Sequence, residues 1–147
     1  MPDVTPPGSP FLPGQAIQLT DGNDVTIIAA GTMVSRALQA AELLRHEDIQ
    51  ARVLNIIFVE PLDTDAILTA AAQTAGIVTA EEATTTGGLG AAVATLTAQH
   101  LPTHLRILGV PRSFAPTGST AFLLEYFGLT AEHIAAAAHD VMAHVSR

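Results

Sequence analysis

The sequence contains no cysteine and no lysine, and these two absences exclude several kinds of chemistry. Without cysteine, the chain forms neither a disulfide framework nor a thiolate metal site. Without lysine, it has no side-chain amine for a Schiff base with a carbonyl substrate. Its permanently charged cations are all arginines: Arg36, Arg45, Arg52, Arg106, Arg112 and Arg147. An anion that binds through a permanent side-chain charge must therefore bind an arginine.

Positive charge is scarce overall, since the formal net charge is −8 and the sequence pI is about 4.9. An acidic surface argues against nucleic acid and anionic membranes as partners. No apolar run approaches the ~20 residues that cross a bilayer. Met1-Pro2-Asp3 lacks the basic start and apolar core of a signal peptide, although it has the form of a genuine chain start. An excised domain would look the same. We expect a cytoplasmic protein.

The 147 residues are 48% hydrophobic, which suits one domain with a substantial core. Residues 1–14 contain five prolines, so we predict an extended N-terminal tail and not a helix. The apolar side chains of Phe11 and Leu12 should hold this tail against a surface. Residues 15–147 are expected to form the single folded domain.

Apolar segments alternate with helical patterns along this domain. Strands are predicted near residues 24–30, 51–57, 76–80 and 105–110. The first of these is apolar almost throughout, which is typical of a strand buried on both faces. Spacings of about 30 residues fit βαβ units, and right-handed crossovers then give a three-layer α/β/α sandwich. In the first helix, Arg36 and Gln39 fall on the face opposite the apolar positions.

Turn and cap residues refine this outline. Residues 15–20 alternate like a strand, and a hairpin at Asp21-Gly22-Asn23 would make this strand antiparallel to the next one. Helix caps are predicted at three polar residues, and Gly128 should end the short fourth helix. The last helix should bury an apolar stripe that includes Val145. The predicted caps are Asp63, Ser119 and Thr130.

Residues 81–90 are the most informative stretch, because they join a strand to a helix at the carboxyl edge of the predicted sheet, where such folds bind ligands. Neighbouring strand residues point to opposite faces, so Glu81 and Glu82 do not form a carboxylate dyad. Either both are structural, or one faces the crevice and the other pairs with an arginine.

The glycines of Gly87-Gly88-Leu89-Gly90 allow two interpretations. Their N–H groups could bind a phosphate at the helix start, or they could serve tight turning and close packing. The pattern is neither a dinucleotide-binding fingerprint nor a Walker loop. Arg112 and Ser119 flank the loop after the last strand and are further candidates for an anion. The candidate ligand residues are therefore Glu82, Gly87, Gly88, Gly90, Arg112 and Ser119.

Two enzyme classes find no support in the sequence. No serine lies in a Gly-x-Ser-x-Gly elbow, which argues against an α/β-hydrolase. The six histidines lack the spacing of a metalloprotease site, so no metal ligand is predicted.

Several segments, in order, together resemble the C-terminal domain of transketolase. The ending Tyr126-Phe127-Gly128-Leu129-Thr130 favours transketolase over 1-deoxyxylulose-5-phosphate synthase and the beta subunits of 2-oxo acid dehydrogenases, which share the earlier part. Ala83 stands where many transketolases carry a histidine, so any role of that imidazole is absent. The segments that carry the resemblance are residues 24–34, 51–53, 61–63, 78–82, 87–90, 109–111 and 126–130.

The resemblance implies a five-stranded, mostly parallel sheet whose first strand is antiparallel. It also implies the C-terminal subunit of a split transketolase, which moves a two-carbon ketol unit between sugar phosphates in pentose phosphate metabolism. Thiamine diphosphate and Mg²⁺ would bind a partner subunit, since the family's Gly-Asp-Gly segment and its pyrimidine domain are missing from these residues. This chain would carry no catalytic, cofactor-binding or metal-binding residue and would be inactive alone.

Other roles stay open. The chain could be the C-terminal domain of one of the related thiamine enzymes, or a stand-alone module that binds a protein or a small ligand. In the enzyme interpretation it supplies structure and dimer contacts, and an exposed apolar face is expected. The candidates for that face are Phe11, Leu12, Phe114, Phe122 and Phe127.

Overall fold

The computed structural model describes residues 2–145. In this range the chain forms five strands and five helices. The elements, in chain order, are β1 (Ile17–Thr20), β2 (Val25–Ala29), α1 (Met33–Arg45), β3 (Ala51–Asn55), α2 (Thr64–Gln73), β4 (Ile77–Thr84), α3 (Leu89–His100), β5 (Leu105–Val110), α4 (Thr120–Tyr126) and α5 (Ala131–Ala143). None of these helices has the length and hydropathy needed to cross a membrane.

The strands form one sheet in the order β1-β3-β2-β4-β5. β1 runs antiparallel to β3, and the other neighbours are parallel. Helices α1 and α5 cover one face of the sheet, whereas α2 and α3 cover the other. This confirms the predicted three-layer α/β/α sandwich with a mostly parallel five-stranded sheet and an antiparallel first strand.

The sequence predicted a hairpin in which β1 pairs with β2, and this pairing is wrong. β1 pairs with β3, with Ile17 opposite Asn55, so β3 lies between β1 and β2. The turn passes over the start of β3, where Gly22 is buried and a Cβ would lie 2.6 Å from the carbonyl carbon of Gln50. The Asp24 carboxylate accepts the Gln50 N–H at 2.6 Å on the other side of this crossing. The turn residues therefore determine that the chain reverses direction after β1, but they do not determine which strand β1 pairs with.

The central strand β2 is buried on both faces, as its unbroken apolar sequence predicts. Ile27 packs into the layer of α1 and α5, and Ile28 packs into the layer of α2 and α3. Full burial of one such side chain contributes about 1.5–3 kcal/mol. Val145, predicted to be inside, is 56% exposed because α5 ends at Ala143, before the helical stripe reaches it.

The three predicted helix caps are all present. Asp63 Oδ1 accepts the Ala66 N–H at 3.0 Å, and Ser119 and Thr130 cap α4 and α5 in the same way. The other Asp63 oxygen accepts the Ala16 N–H at 2.7 Å and so ties the start of β1 to α2. Gly128 ends α4 with a φ of +68°, a conformation that glycine adopts without steric cost.

The tail contains neither helix nor strand over residues 2–14. Val4 packs against the layer of α1 and α5, whereas Phe11 and Leu12 are 61% and 48% exposed. The tail is therefore held by contacts other than the two side chains that the sequence singled out.

Candidate functional site

The carboxyl ends of the parallel strands bring together three parts of the chain. The loop after β2 leads into α1, β4 ends in the acidic pair, and the loop after β5 leads into α4. In open parallel sheets this edge is where ligands bind. The side chains at this edge fall into two groups, which lie on opposite faces of β4.

The buried group is centred on Glu81, which is only 5% exposed. Its carboxylate accepts the Leu89 N–H at 2.8 Å and the Gly90 N–H at 3.0 Å. These donors belong to the first turn of α3, whose leading N–H groups lack partners within the helix. Because Gly88 has no side chain to cap this turn, Glu81 caps α3 from the neighbouring strand. Glu81 forms no ion pair among residues 2–145, so the arginine partner considered from the sequence is not found in the described part of the chain.

The glycines of the turn make room for this carboxylate and for the sheet. A Cβ on Gly88 would lie 2.7 Å from Oε1 of Glu81, and one on Gly90 would lie 2.7 Å from Oγ1 of Thr79. Gly87 has a φ of +80°, which few residues with a side chain adopt. Tight turning and close packing therefore account for all three glycines. Anion binding by Gly87, Gly88 and Gly90 stays a prediction, and Glu81 already engages two of the N–H donors it would use.

Glu82 points the other way, as the alternation of a strand requires, and its side chain is exposed. It lines two neighbouring cavities at the carboxyl edge. Thr120, at the start of α4, also lines both. The two cavities thus share a wall made by these two side chains.

The first cavity is polar and has a volume of about 450 Å³. Its side chains come mainly from the start of α1: Thr32, Ser35, Arg36 and Gln39, together with Glu82, Thr120 and Pro2 of the tail. Arg36 is half-buried and donates to the Thr32 carbonyl at 3.3 Å. Neither Arg36 nor Glu82 forms an ion pair with any described residue. The cavity therefore contains one unpaired charge of each sign.

The second cavity is apolar and smaller, at about 220 Å³. Beyond Glu82 and Thr120 it is lined by Val110, Leu123, Leu124, Phe127 and Leu129. Leu124 and Leu129 belong to the buried core, and Phe127 packs against it. An apolar group would fit here without displacing a polar side chain.

The two candidates after β5 lie elsewhere. Arg112 is exposed and lines a separate shallow cavity with Ser113 and Phe114. The Ser119 hydroxyl accepts the Phe122 N–H at 3.2 Å and caps α4. Neither residue lines the cavities at Glu82, and their binding of an anion stays a prediction. The arginine in the polar cavity is Arg36, which the sequence placed on the solvent-facing side of α1. Arg36 lies in the first turn of the helix that follows a buried strand, and this position in the sequence could have identified it as a residue of the carboxyl edge.

No three histidine, aspartate or glutamate side chains within residues 2–145 come together as a metal site. The carboxyl edge thus offers a capped helix start, a polar cavity with two opposite charges and an apolar cavity beside it. Such an arrangement is suited to binding, and it contains no paired nucleophile and base.

A family model described as "Transketolase, C-terminal domain" matches residues 14–134. Over 131 residues the chain is 47% identical to the 6-deoxy-6-sulfo-D-fructose transketolase subunit of Clostridium sp. (strain MSTE9), covering 89% of this chain and 41% of that protein. Over 129 residues it is 40% identical to the 1-deoxy-D-xylulose-5-phosphate synthase of Heliobacterium modesticaldum, covering 87% of this chain and 20% of that one.

The solved structure of a split gene transketolase, described as an inactive beta4 tetramer, superimposes on the chain with a TM-score of 0.93. The two are 38% identical, and the match covers 97% of this chain and 46% of that one. The chain therefore spans less than half the length of these relatives.

Proposed function

The chain belongs to the transketolase C-terminal domain family, and we propose that it is the C-terminal, non-catalytic part of a split transketolase that uses thiamine diphosphate. The whole enzyme would transfer a two-carbon ketol unit between sugar phosphates. The observation that carries this proposal is the match to a split gene transketolase over 97% of the chain. Because the chain covers 46% of that protein, the remaining domains lie outside these 147 residues.

The start of α3 does not fit thiamine diphosphate. A diphosphate needs free N–H donors or a bound cation, and Glu81 occupies the Leu89 and Gly90 donors at the start of α3. The Gly-Asp-Gly segment of the family is also missing from these residues. This supports placing the cofactor and Mg²⁺ on a partner subunit and assigning this chain a role in structure and assembly.

A surface for that partner is available on α4 and the loop before it. Phe114 is fully exposed, and Phe122 and Tyr126 are 48% and 58% exposed with ring centroids 5.9 Å apart. Aromatic side chains are enriched at protein interfaces, and grouped exposed apolar side chains mark such contacts. We assign this aromatic surface (Phe114, Phe122 and Tyr126) to the contact with the cofactor-carrying subunit.

Co-expression with a subunit that carries the diphosphate and pyrimidine domains tests the proposal. An affinity tag on this chain should retain that subunit, and ketol transfer should require both chains. Xylulose 5-phosphate, fructose 6-phosphate and 6-deoxy-6-sulfo-D-fructose serve as a donor panel. Full activity of the partner without this chain, or failure to form a complex, would refute the proposal.

A second candidate is the C-terminal domain of a 1-deoxy-D-xylulose-5-phosphate synthase, which the 40% identity to such an enzyme favours. The same reconstituted complex separates the two functions. Formation of 1-deoxy-D-xylulose 5-phosphate, without ketol transfer from any donor in the panel, would select the synthase.

A further inference from the structure

We propose that the two cavities at Glu82 together bind an apolar α-amino acid in its zwitterionic form. Glu82 would accept hydrogen bonds from the ammonium group, and Arg36 would bind the carboxylate. The apolar side chain would occupy the cavity lined by Leu123 and Phe127. This binding site does not depend on the proposed role of the chain in a split transketolase.

The placement of Glu82 is the first step of the argument. Its exposed carboxylate forms part of the wall that the polar and apolar cavities share. A molecule bound across this wall places its central atom beside Glu82, with a polar group on one side and an apolar group on the other. An α-amino acid has this connectivity, because its ammonium, carboxylate and side chain all branch from one carbon.

The charges in the polar cavity favour a zwitterion over a simple anion. Arg36 is half-buried without a carboxylate partner in the described part of the chain, and Glu82 is likewise without a cation. A phosphate that bound Arg36 would meet Glu82 in the same cavity and a protein of net charge −8. A zwitterion brings no net charge and gives each of the two groups a partner of opposite sign.

The start of α1 also suits a carboxylate. The first turn contains no acidic residue, and no side chain caps it. A negative group near a helix N-terminus is favoured by the helix dipole. Thr32 lines this cavity, and its Oγ1 is buried and without a hydrogen-bond partner in residues 2–145. In the proposed complex this hydroxyl would turn into the cavity and donate to the carboxylate that also contacts Arg36.

The apolar cavity has room for a large aliphatic or aromatic side chain. At about 220 Å³ it exceeds the roughly 150 Å³ of an engineered apolar cavity that holds benzene. Leucine and phenylalanine should therefore bind more tightly than glycine, which leaves the cavity empty.

Isothermal titration of the full chain with L-leucine and L-phenylalanine tests the proposal. We expect saturable binding of one ligand per chain. Glu82→Gln and Arg36→Gln should each weaken it by about tenfold, the loss of one charged hydrogen bond. Glu125→Gln and Arg45→Gln change the same side-chain types outside both cavities and should leave the affinity unchanged.

Ligand analogues assign each group of the ligand to its partner. 4-Methylpentanoate lacks the ammonium group of leucine, and 3-methylbutylamine lacks its carboxylate, so both should bind more weakly to the wild-type chain. In Glu82→Gln, removal of the ammonium group should cost less than it does in the wild-type chain, because the carboxylate that pairs with it has been replaced by a neutral amide. Circular dichroism of each variant checks that the fold is retained.

Three outcomes would overturn the proposal. One is the absence of saturable binding by leucine and phenylalanine at about 10 mM, tenfold above a Kd of 1 mM. Another is equal weakening by the cavity variants and their controls. The third is binding of inorganic phosphate that depends on Arg36 but not on Glu82, which would identify a simple anion site.

Discussion

The carboxylate of Glu81 lies against the α-carbon of Gly88, so close that a Cβ on Gly88 would stand 2.7 Å from Oε1 and 2.8 Å from Cδ of the glutamate. The same carboxylate accepts two N–H groups from the first turn of α3. One side chain of β4 thus fixes the position of the following helix. Because Gly88 has no side chain, the Glu81 carboxylate can reach the start of α3.

Gly88→Val is expected to lower the free energy of unfolding by more than about 1 kcal/mol, because the new side chain collides with the Glu81 carboxylate. Urea denaturation measures the change. Gly87→Asn is the matched control, since Gly87 has open space around it and asparagine tolerates its positive φ. An unchanged free energy of unfolding for Gly88→Val would show that the turn is loosely held and would favour a ligand-binding role for the glycines.

Glu81→Gln should destabilise the fold by about 1–3 kcal/mol, because an amide cannot accept both buried N–H groups and its own NH₂ faces one of them. Glu82→Gln is the control on the adjacent position and should change stability by less than about 0.5 kcal/mol, since the side chain is exposed. The comparison uses chemical unfolding at one pH. Equal effects at the two positions would contradict the assignment of Glu81 as the cap of α3.

The isolated chain is expected to show no transketolase activity and no affinity for thiamine diphosphate. The physical reason is that Glu81 occupies the Leu89 and Gly90 N–H donors of α3 and that the Gly-Asp-Gly segment of the family is missing from these residues. Calorimetric titration with thiamine diphosphate, with and without Mg²⁺, checks this. Tight binding that requires the metal would refute it and would place the cofactor on this chain.

The aromatic surface should make the chain self-associate or bind a partner. A stable contact buries on the order of 1,200–2,000 Å² in total, which the tail and α4 together could supply. Of the five residues expected there, Phe127 instead packs against the core, and Tyr126 is exposed in its place. The net charge of −8 opposes self-association at low salt, and added salt screens it.

Sedimentation at two salt concentrations, with and without residues 1–14, tests this expectation. Phe122→Ser should weaken association, whereas Leu43→Ser, an exposed apolar position on α1, should not. A protein that stays monomeric in every condition, and that also fails to co-purify with a cofactor-domain subunit, would count against both the surface and the split enzyme.

Acid should weaken the start of α5 through Glu132. Its own backbone N–H, followed by the Thr130 hydroxyl, holds the pKa of this carboxyl below its ordinary value of 4.5. A carboxyl with a lowered folded-state pKa contributes stability above its unfolded-state pKa and loses that contribution as the pH falls through the folded-state value. NMR titration should therefore give Glu132 a lower midpoint in the folded chain than in a short peptide around it. A midpoint at or above the peptide value would contradict this.

Much of the fold follows from neighbours in the sequence. The bounds of β5, residues 105–110, were predicted to the residue, and the caps at Asp63, Ser119 and Thr130 are all present. These features depend on side chains within three or four positions of one another, or on an apolar run long enough to be buried. For the same reason, alternation along the strand was enough to place Glu81 and Glu82 on opposite faces.

Only the tertiary structure decided which distant residues meet. β1 pairs with β3 and not with β2, Glu81 caps a helix eight and nine residues away, and Arg36 shares a cavity with Glu82 from another element. The sequence could determine that each strand is buried, because burial is a property of the segment. It could not determine the order of the strands or the side chains that face one cavity. Those depend on contacts between distant segments, and the distance between two segments along the chain does not show whether they touch.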